Sequence, residues 1–215
     1  MHDMHNMSHP KNPNPMLPVI GLTGGIASGK SEVGRFLADL GCLVVNSDQL
    51  GHEALRDDIV RKTLVSWWGE SIVDDSGELD RSAIARIVFS SPGERQRLEA
   101  LVHPWIEARR RALFDDPPTD TRALVIDAPL LLEAGLGDEC DAVIFVDADR
   151  SIRAARVQAT RGWTVEDLER RESAQFGLDE KRKQADYVVV NEGDRDSLRH
   201  RVQEVLDDIL TASEA

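Results

Sequence analysis

Residues 21–31 read GLTGGIASGKS, and within them Gly24-x-x-x-x-Gly29-Lys30-Ser31 fills every fixed position of a phosphate-binding P-loop. Glycines let a backbone bend closely around an anion. A helix that begins where such a loop ends points its positive end at the same place. The motif needs a strand before it and a helix after it, and both are readable here. LPVIGL at 17–22 is a short apolar run. SEVGRFLADLG at 31–41 puts Val33, Phe36, Leu37 and Leu40 on one helical face and stops at Gly41. The expected ligand is ATP or a similar nucleoside triphosphate, held by Gly24, Gly25, Ala27, Ser28, Gly29, Lys30, Ser31 and Glu32. Lys30 is expected to reach the β- and γ-phosphates, and Ser31 to hold Mg²⁺. The loop leaves the phosphoryl acceptor unnamed.

Outward from the loop, apolar strand-like runs alternate with helical ones. CLVVNSD at 42–48, RALVIDAP at 122–129, DAVIFVDAD at 141–149 and ADYVVVNEG at 185–193 read as four further strands. Strands alternating with helices predict an α/β fold, a five-stranded parallel sheet flanked by helices. From Gln49 to about Asp116 the pattern is helical and charged, and it holds Trp67, Trp68 and Trp105. The His103-Pro104 step predicts a kink or a fresh start, because proline inside a helix removes a hydrogen bond and clashes with the turn before it. Thr164 and Asp167 form a predicted capping pair.

The chain has 215 residues, 41% hydrophobic and 30% charged, enough for a core. Its net charge of −13 argues against a general nucleic-acid binder, which needs a basic face. No apolar run is long enough to span a bilayer. Cys42 and Cys140 have neither metal-ligand spacing nor a disulfide framework, which suits a reducing, cytoplasmic setting. The opening MHDMHNMSHPKNPNPM reads as a solvated leader, rich in Pro and Asn; contact of His2, His5 and His9 with a metal is the other reading.

Four candidates carry the remaining chemistry. Asp48 ends the second strand. It is either a base that positions a hydroxyl for in-line attack or a helix N-cap. Asp127 ends the strand ALVID at 123–127, where P-loop proteins often keep a carboxylate for Mg²⁺ or its water; a turn residue is the other reading. Glu133 either faces the same cleft or is solvated. The segment from Arg150 to Arg171 is dense in arginine, including Arg153, Arg156 and Arg161, and one or more of these is expected to clamp phosphates; for any single arginine the other reading is an exposed, salt-bridged pair of helices, since Glu166, Asp167, Glu169 and Glu172 sit among them. His103 is a polar group at a helix break or a substrate contact.

Taken together, LTGGIASGKSEV, VVNSDQLGHEAL, GELDRSAIARIVF, LEALVHPWIE, VIDAPLLLEAG and LDEKRKQADYVVVNEG resemble the dephospho-CoA kinases over nearly the whole chain from Leu17 to about Leu210. The resemblance implies a P-loop kinase-like core with a helical acceptor lobe and a helical lid. It implies a core of 17–48, 119–149 and 184–215, an acceptor lobe of 49–118, a lid of 150–183 and a disordered leader of 1–16. It implies transfer of the ATP γ-phosphoryl group to the ribose 3′-hydroxyl of dephospho-CoA, with Asp48 as catalytic carboxylate. Lys30, Arg156 and Arg161 assist at the phosphates, His103 meets the acceptor, and Asn191 lies near adenine. No nucleic acid or membrane is an expected partner. The oligomeric state is open, leaning to a monomer. The chain departs from the family in reading Asn46-Ser47-Asp48 for Asp-Ala-Asp, His52 for an arginine, and Thr160-Arg161 for Arg-Asp. One residue of displacement turns a helical side chain by about 100°. Other P-loop kinases, or a slow ATP-hydrolysing switch, are the rival readings.

Overall fold

The structure is a computed structural model that describes residues 17–214; the leader and its histidines lie outside the described residues. Its elements in chain order are β1 (Val19–Gly24), α1 (Lys30–Asp39), β2 (Leu43–Asn46), α2 (Ser47–Ala54), α3 (Asp58–Trp68), α4 (Arg81–Ser90), α5 (Pro92–Asp115), β3 (Leu124–Asp127), β4 (Ala142–Asp147), α6 (Arg150–Arg161), α7 (Val165–Glu172), α8 (Leu178–Gln184), β5 (Tyr187–Val190) and α9 (Arg195–Ser213). The chain divides into two compact units, one of Asn46–Leu113 and one made from the chain on either side of it.

The larger unit is built on the expected five-stranded parallel sheet, ordered β2-β3-β1-β4-β5. β1 pairs with β3 on one side and β4 on the other, with Leu22 opposite Asp127 and Gly24 opposite Val146. All six of its residues are buried, as a central parallel strand with helices packed on the sheet requires. The core runs from Ile20 and Leu22 through Phe36 and Leu37 of α1 to Val202, Leu206 and Ile209 of α9. Each fully buried leucine or isoleucine contributes about 1.5–3 kcal/mol. Cys42 belongs to this core, and burial pushes its thiol up to about 11 against an opposing pull from Arg122. It is a protonated packing group, as expected of an idle cysteine.

The connections from β1 and β3 leave in opposite directions, so the order reverses between these adjacent strands. The crevice beyond the carboxyl ends of such strands is where open α/β sheets bind ligands. Gly24 and Asp127 end those two strands.

The smaller unit has its own apolar cluster, in which Val60, Leu64, Ile72, Ala83, Ile84 and Val102 are buried and Trp67, Trp68 and Trp105 pack against them. The three tryptophans are therefore packing groups. A turn at 74–78 is closed by the Asp74 carboxylate, which accepts the Ser76 N–H at 2.9 Å and the Glu78 N–H at 3.0 Å. Of the kink or fresh start expected at Pro104, the fresh start is absent: α5 runs 24 residues through the proline. Leu98, Leu101, Val102, Trp105 and Ile106 flank the proline and anchor the helix on the cluster, which offsets the one lost hydrogen bond.

Candidate active site

The P-loop is shaped by positions that exclude side chains. A Cβ at Gly24 would lie 2.7 Å from the Val146 carbonyl of β4 and 2.8 Å from Ser28 Oγ. Gly29 has φ +98°, and a Cβ there would lie 2.0 Å from Asn191 Nδ2. That amide donates to the Ser28 carbonyl at 2.7 Å, fastening the loop to the end of β5. The Ser28 N–H closes the turn on the Gly25 carbonyl at 3.1 Å. Ala27 takes φ 60°, the one non-glycine residue with positive φ among those described.

This shape leaves donors unmatched. Gly29 caps α1 without a side-chain bond, and the N–H groups of Lys30 and Ser31 have no backbone acceptor among the described residues. Helix starts leave such donors unmatched. Ser28 Oγ is buried, also with no partner among the described residues. A nest of unmatched donors at a positive helix end fits a phosphate chain.

Lys30 forms an ion pair with Asp127, which is 3% exposed. Residues from the two ends of the crevice are thus joined, and the exposed Ser31 hydroxyl belongs to the same turn of α1 as Lys30. A serine hydroxyl and a carboxylate are hard oxygen donors suited to Mg²⁺, which takes one or two protein groups and completes its shell with water and phosphate. No group of three or more His, Cys, Asp or Glu that could cage a metal exists among the described residues. The residues present therefore fit Mg²⁺ carried with a nucleotide.

The arginine-dense segment divides its labour unevenly. Arg156 donates to the carbonyls of Ala27 at 3.2 Å, Ser28 at 3.1 Å and Asn191 at 3.1 Å. It ties the loop to β5. Arg153, 3% exposed, donates from Nε to the Ala148 carbonyl at 3.1 Å and from Nη1 to the Ile26 carbonyl at 3.4 Å, and it pairs with Glu172 of α7. Arg161 is elsewhere: it ends α6 and stacks on Trp163, 4.7 Å from the ring centre, while Arg171 stacks at 4.0 Å. Thr164 and Asp167 form the predicted capping box at the start of α7.

An open cleft of about 530 Å³ beside the loop is lined by Gly29, Glu32, Arg156, Asn191 and Arg195, among others. Glu32 accepts from Arg195 Nε at 2.7 Å and pairs with Arg35. Glu133 is neither solvated nor free: it pairs with Lys181 at 2.9 Å.

Comparison with known proteins resolves which chemistry this donor side serves. The family model described as dephospho-CoA kinase matches residues 18–197. The chain belongs to the dephospho-CoA kinase family. Dephospho-CoA kinases of Symbiobacterium thermophilum and Geobacillus kaustophilus are similar to it at 40% identity over 86% of this chain and 78% of theirs, and at 38% over 89% and 96%. The crystal structure of TT1252 from Thermus thermophilus superposes with a TM-score of 0.78 at 33% identity, covering 89% of this chain and 97% of that one. A shikimate kinase of Bacteroides thetaiotaomicron shares the fold at 14% identity and a TM-score of 0.52. The chain is accordingly an ATP-dependent kinase of the P-loop fold.

The other candidates of this dephospho-CoA kinase family member belong to the smaller unit. Asp48 is exposed in the first turn of α2 and is not its cap. That task falls to Asn46, whose Oδ1 accepts the Gln49 N–H at 2.9 Å. His52, also exposed, has Nε2 2.7 Å from Arg81 Nη2. Arginine only donates, so the His52 ring nitrogen accepts there. His103 is exposed on α5. Sequence reasoning placed Arg153 only among the candidate phosphate clamps, and it missed Glu172 and Lys181 as shapers of the site. The only signal was chemical: charged residues, some of whose partners lie 19, 52 and 127 positions away.

Proposed function

We propose that this chain transfers the γ-phosphoryl group of ATP to the ribose 3′-hydroxyl of dephospho-CoA, giving CoA and ADP. One observation carries the reading: a loop of unmatched donors, with Lys30 and Asp127 beside it, lies in a chain matched by the dephospho-CoA kinase family from 18 to 197. The loop amides and Lys30 bind and orient the β- and γ-phosphates. Ser31 and Asp127 would hold Mg²⁺, which would supply charge neutralisation at the phosphates. Asn191 and Arg156 fix the loop at the nucleotide end, where the adjoining cleft suits the adenosine part of ATP. Asp48 accepts the proton of the attacking hydroxyl and aligns its oxygen; its exposure and its release from capping support that role. His103 contacts the acceptor. Arg161, stacked on Trp163 and exposed, is available to the γ-phosphoryl group. We place the enzyme in the cytoplasm, a reading supported by its two free thiols. No described helix is long and apolar enough to cross a membrane.

The test is incubation with MgATP and dephospho-CoA and identification of the product by mass. CoA, heavier by one phosphoryl group, is expected, with equal ADP. Asp48→Asn is expected to keep ATP affinity and lose about 10²–10⁴-fold in turnover. Unchanged turnover in the folded variant would remove Asp48 from the chemistry.

A further inference from the structure

Lys181 of α8 is 0% exposed. Its ammonium has three protons and three acceptors: the Pro129 carbonyl at 2.8 Å, Gln175 Oε1 at 3.2 Å and Glu133 Oε1 at 2.9 Å. Glu133 Oε1 also accepts the Phe176 N–H at 2.9 Å, while Glu133 Oε2 is buried with no partner among the described residues. Buried ion pairs rarely stabilise a fold better than apolar residues of equal volume. Stability alone therefore does not account for a lysine here, nor for a carboxylate left half-satisfied. A hydrophobic side chain could not bind three separate segments in fixed register. This pair joins the loop after β3, the turn between α7 and α8, and α8 itself.

Those segments border the phosphate site. Pro129 follows Asp127 by two residues, and its carbonyl also lies 3.4 Å from Thr23 Oγ1, one residue before Gly24. Leu178, on α8 with Lys181, covers the loop: a Cβ at Gly25 would lie 3.1 Å from its Cδ2. The turn held by Glu133 leads back to Glu172, which holds Arg153 against the loop. We infer that Lys181 and Glu133 are a positioning pair. They fasten the root of the arginine-dense segment to the walls of the phosphate site, so that a bound γ-phosphoryl group meets the acceptor hydroxyl and not water. This rests on the kinase reading above. When the pair is broken, water attacks the γ-phosphorus, the bond to the β-phosphate oxygen breaks, and ATP with water yields ADP, inorganic phosphate and a proton.

The experiment compares Lys181→Met, Glu133→Gln and the double variant Lys181→Met/Glu133→Leu with the unaltered chain. ADP is measured with and without dephospho-CoA, CoA is measured by mass, and melting is followed by circular dichroism. In the unaltered chain CoA per ADP is near one. The variants are expected to release ADP without acceptor at least about fivefold faster relative to transfer, and CoA per ADP falls accordingly. A merely structural role would lower total rate with folded fraction and leave that ratio unmoved; an unmoved ratio in folded variants overturns the inference. If the single variants do not fold, the double variant decides, since it leaves no uncompensated ion, and its own failure to fold counts for a structural role alone. If the unaltered chain makes no CoA, the acceptor reading fails separately, and the pair is judged on ADP release, which must still rise in the variants.

Discussion

A methyl group at Gly29 would meet two obstacles at once. The backbone there is left-handed at φ +98°, and the space a Cβ would fill lies 2.0 Å from the Asn191 amide that holds the loop. Left-handed strain and displacement of a buried hydrogen bond each cost about 1–3 kcal/mol. Gly29→Ala is therefore expected to weaken ATP binding about 10–100-fold or more, with the sheet intact. Titration calorimetry beside far-ultraviolet circular dichroism checks this, and wild-type affinity would show that the loop is more pliable than its geometry implies. Such positions are legible in sequence because their constraints are local: a glycine, a lysine and a serine at fixed spacing close one turn. Arg153, Arg156 and Arg161 are not separable that way. All three lie on α6, yet one is buried against Glu172, one holds the loop and one lies on Trp163. Which does which depends on partners remote in the chain, and Lys181 is hidden for the same reason.

At the scale of elements, alternating runs located every strand, because a parallel sheet covered on both faces demands unbroken apolar segments. The helices were harder where two principles compete. Local chemistry at Pro104 argues for a kink or a fresh start in α5; the apolar residues on both sides argue for continuity, and burial outweighs the local cost of continuing. That cost is still present. Proline donates nothing to the Ala100 carbonyl four residues earlier and crowds it. Pro104→Ala is expected to raise stability by about 1–3 kcal/mol, seen as a higher denaturant midpoint with unchanged slope. A lower midpoint would show that the bend geometry of proline is itself required by the packing of the smaller unit.

At the scale of the molecule, the two units differ in what they answer to. The nucleotide loop, Asp127 and Asn191 all belong to the unit built on the sheet, whereas Asp48 and His103 belong to the inserted one, which has its own apolar cluster. A ligand stabilises only what must open for it to be lost, by about 2.7 kcal/mol at a hundredfold excess over its dissociation constant. If the units open separately, ATP slows amide exchange about 100-fold at the most protected positions of β1 and β4 and leaves α3 and α4 almost unchanged. Dephospho-CoA alone should do the reverse, slowing α2, α3 and α4 more than β5. Hydrogen-exchange mass spectrometry reads both arms. Equal slowing of both units by ATP would mean that they open as one cooperative body. The inserted cluster, for all its separate packing, would then be too weak to stand without the sheet, and binding energy gained at the P-loop would already be shared with the unit that holds Asp48 and His103.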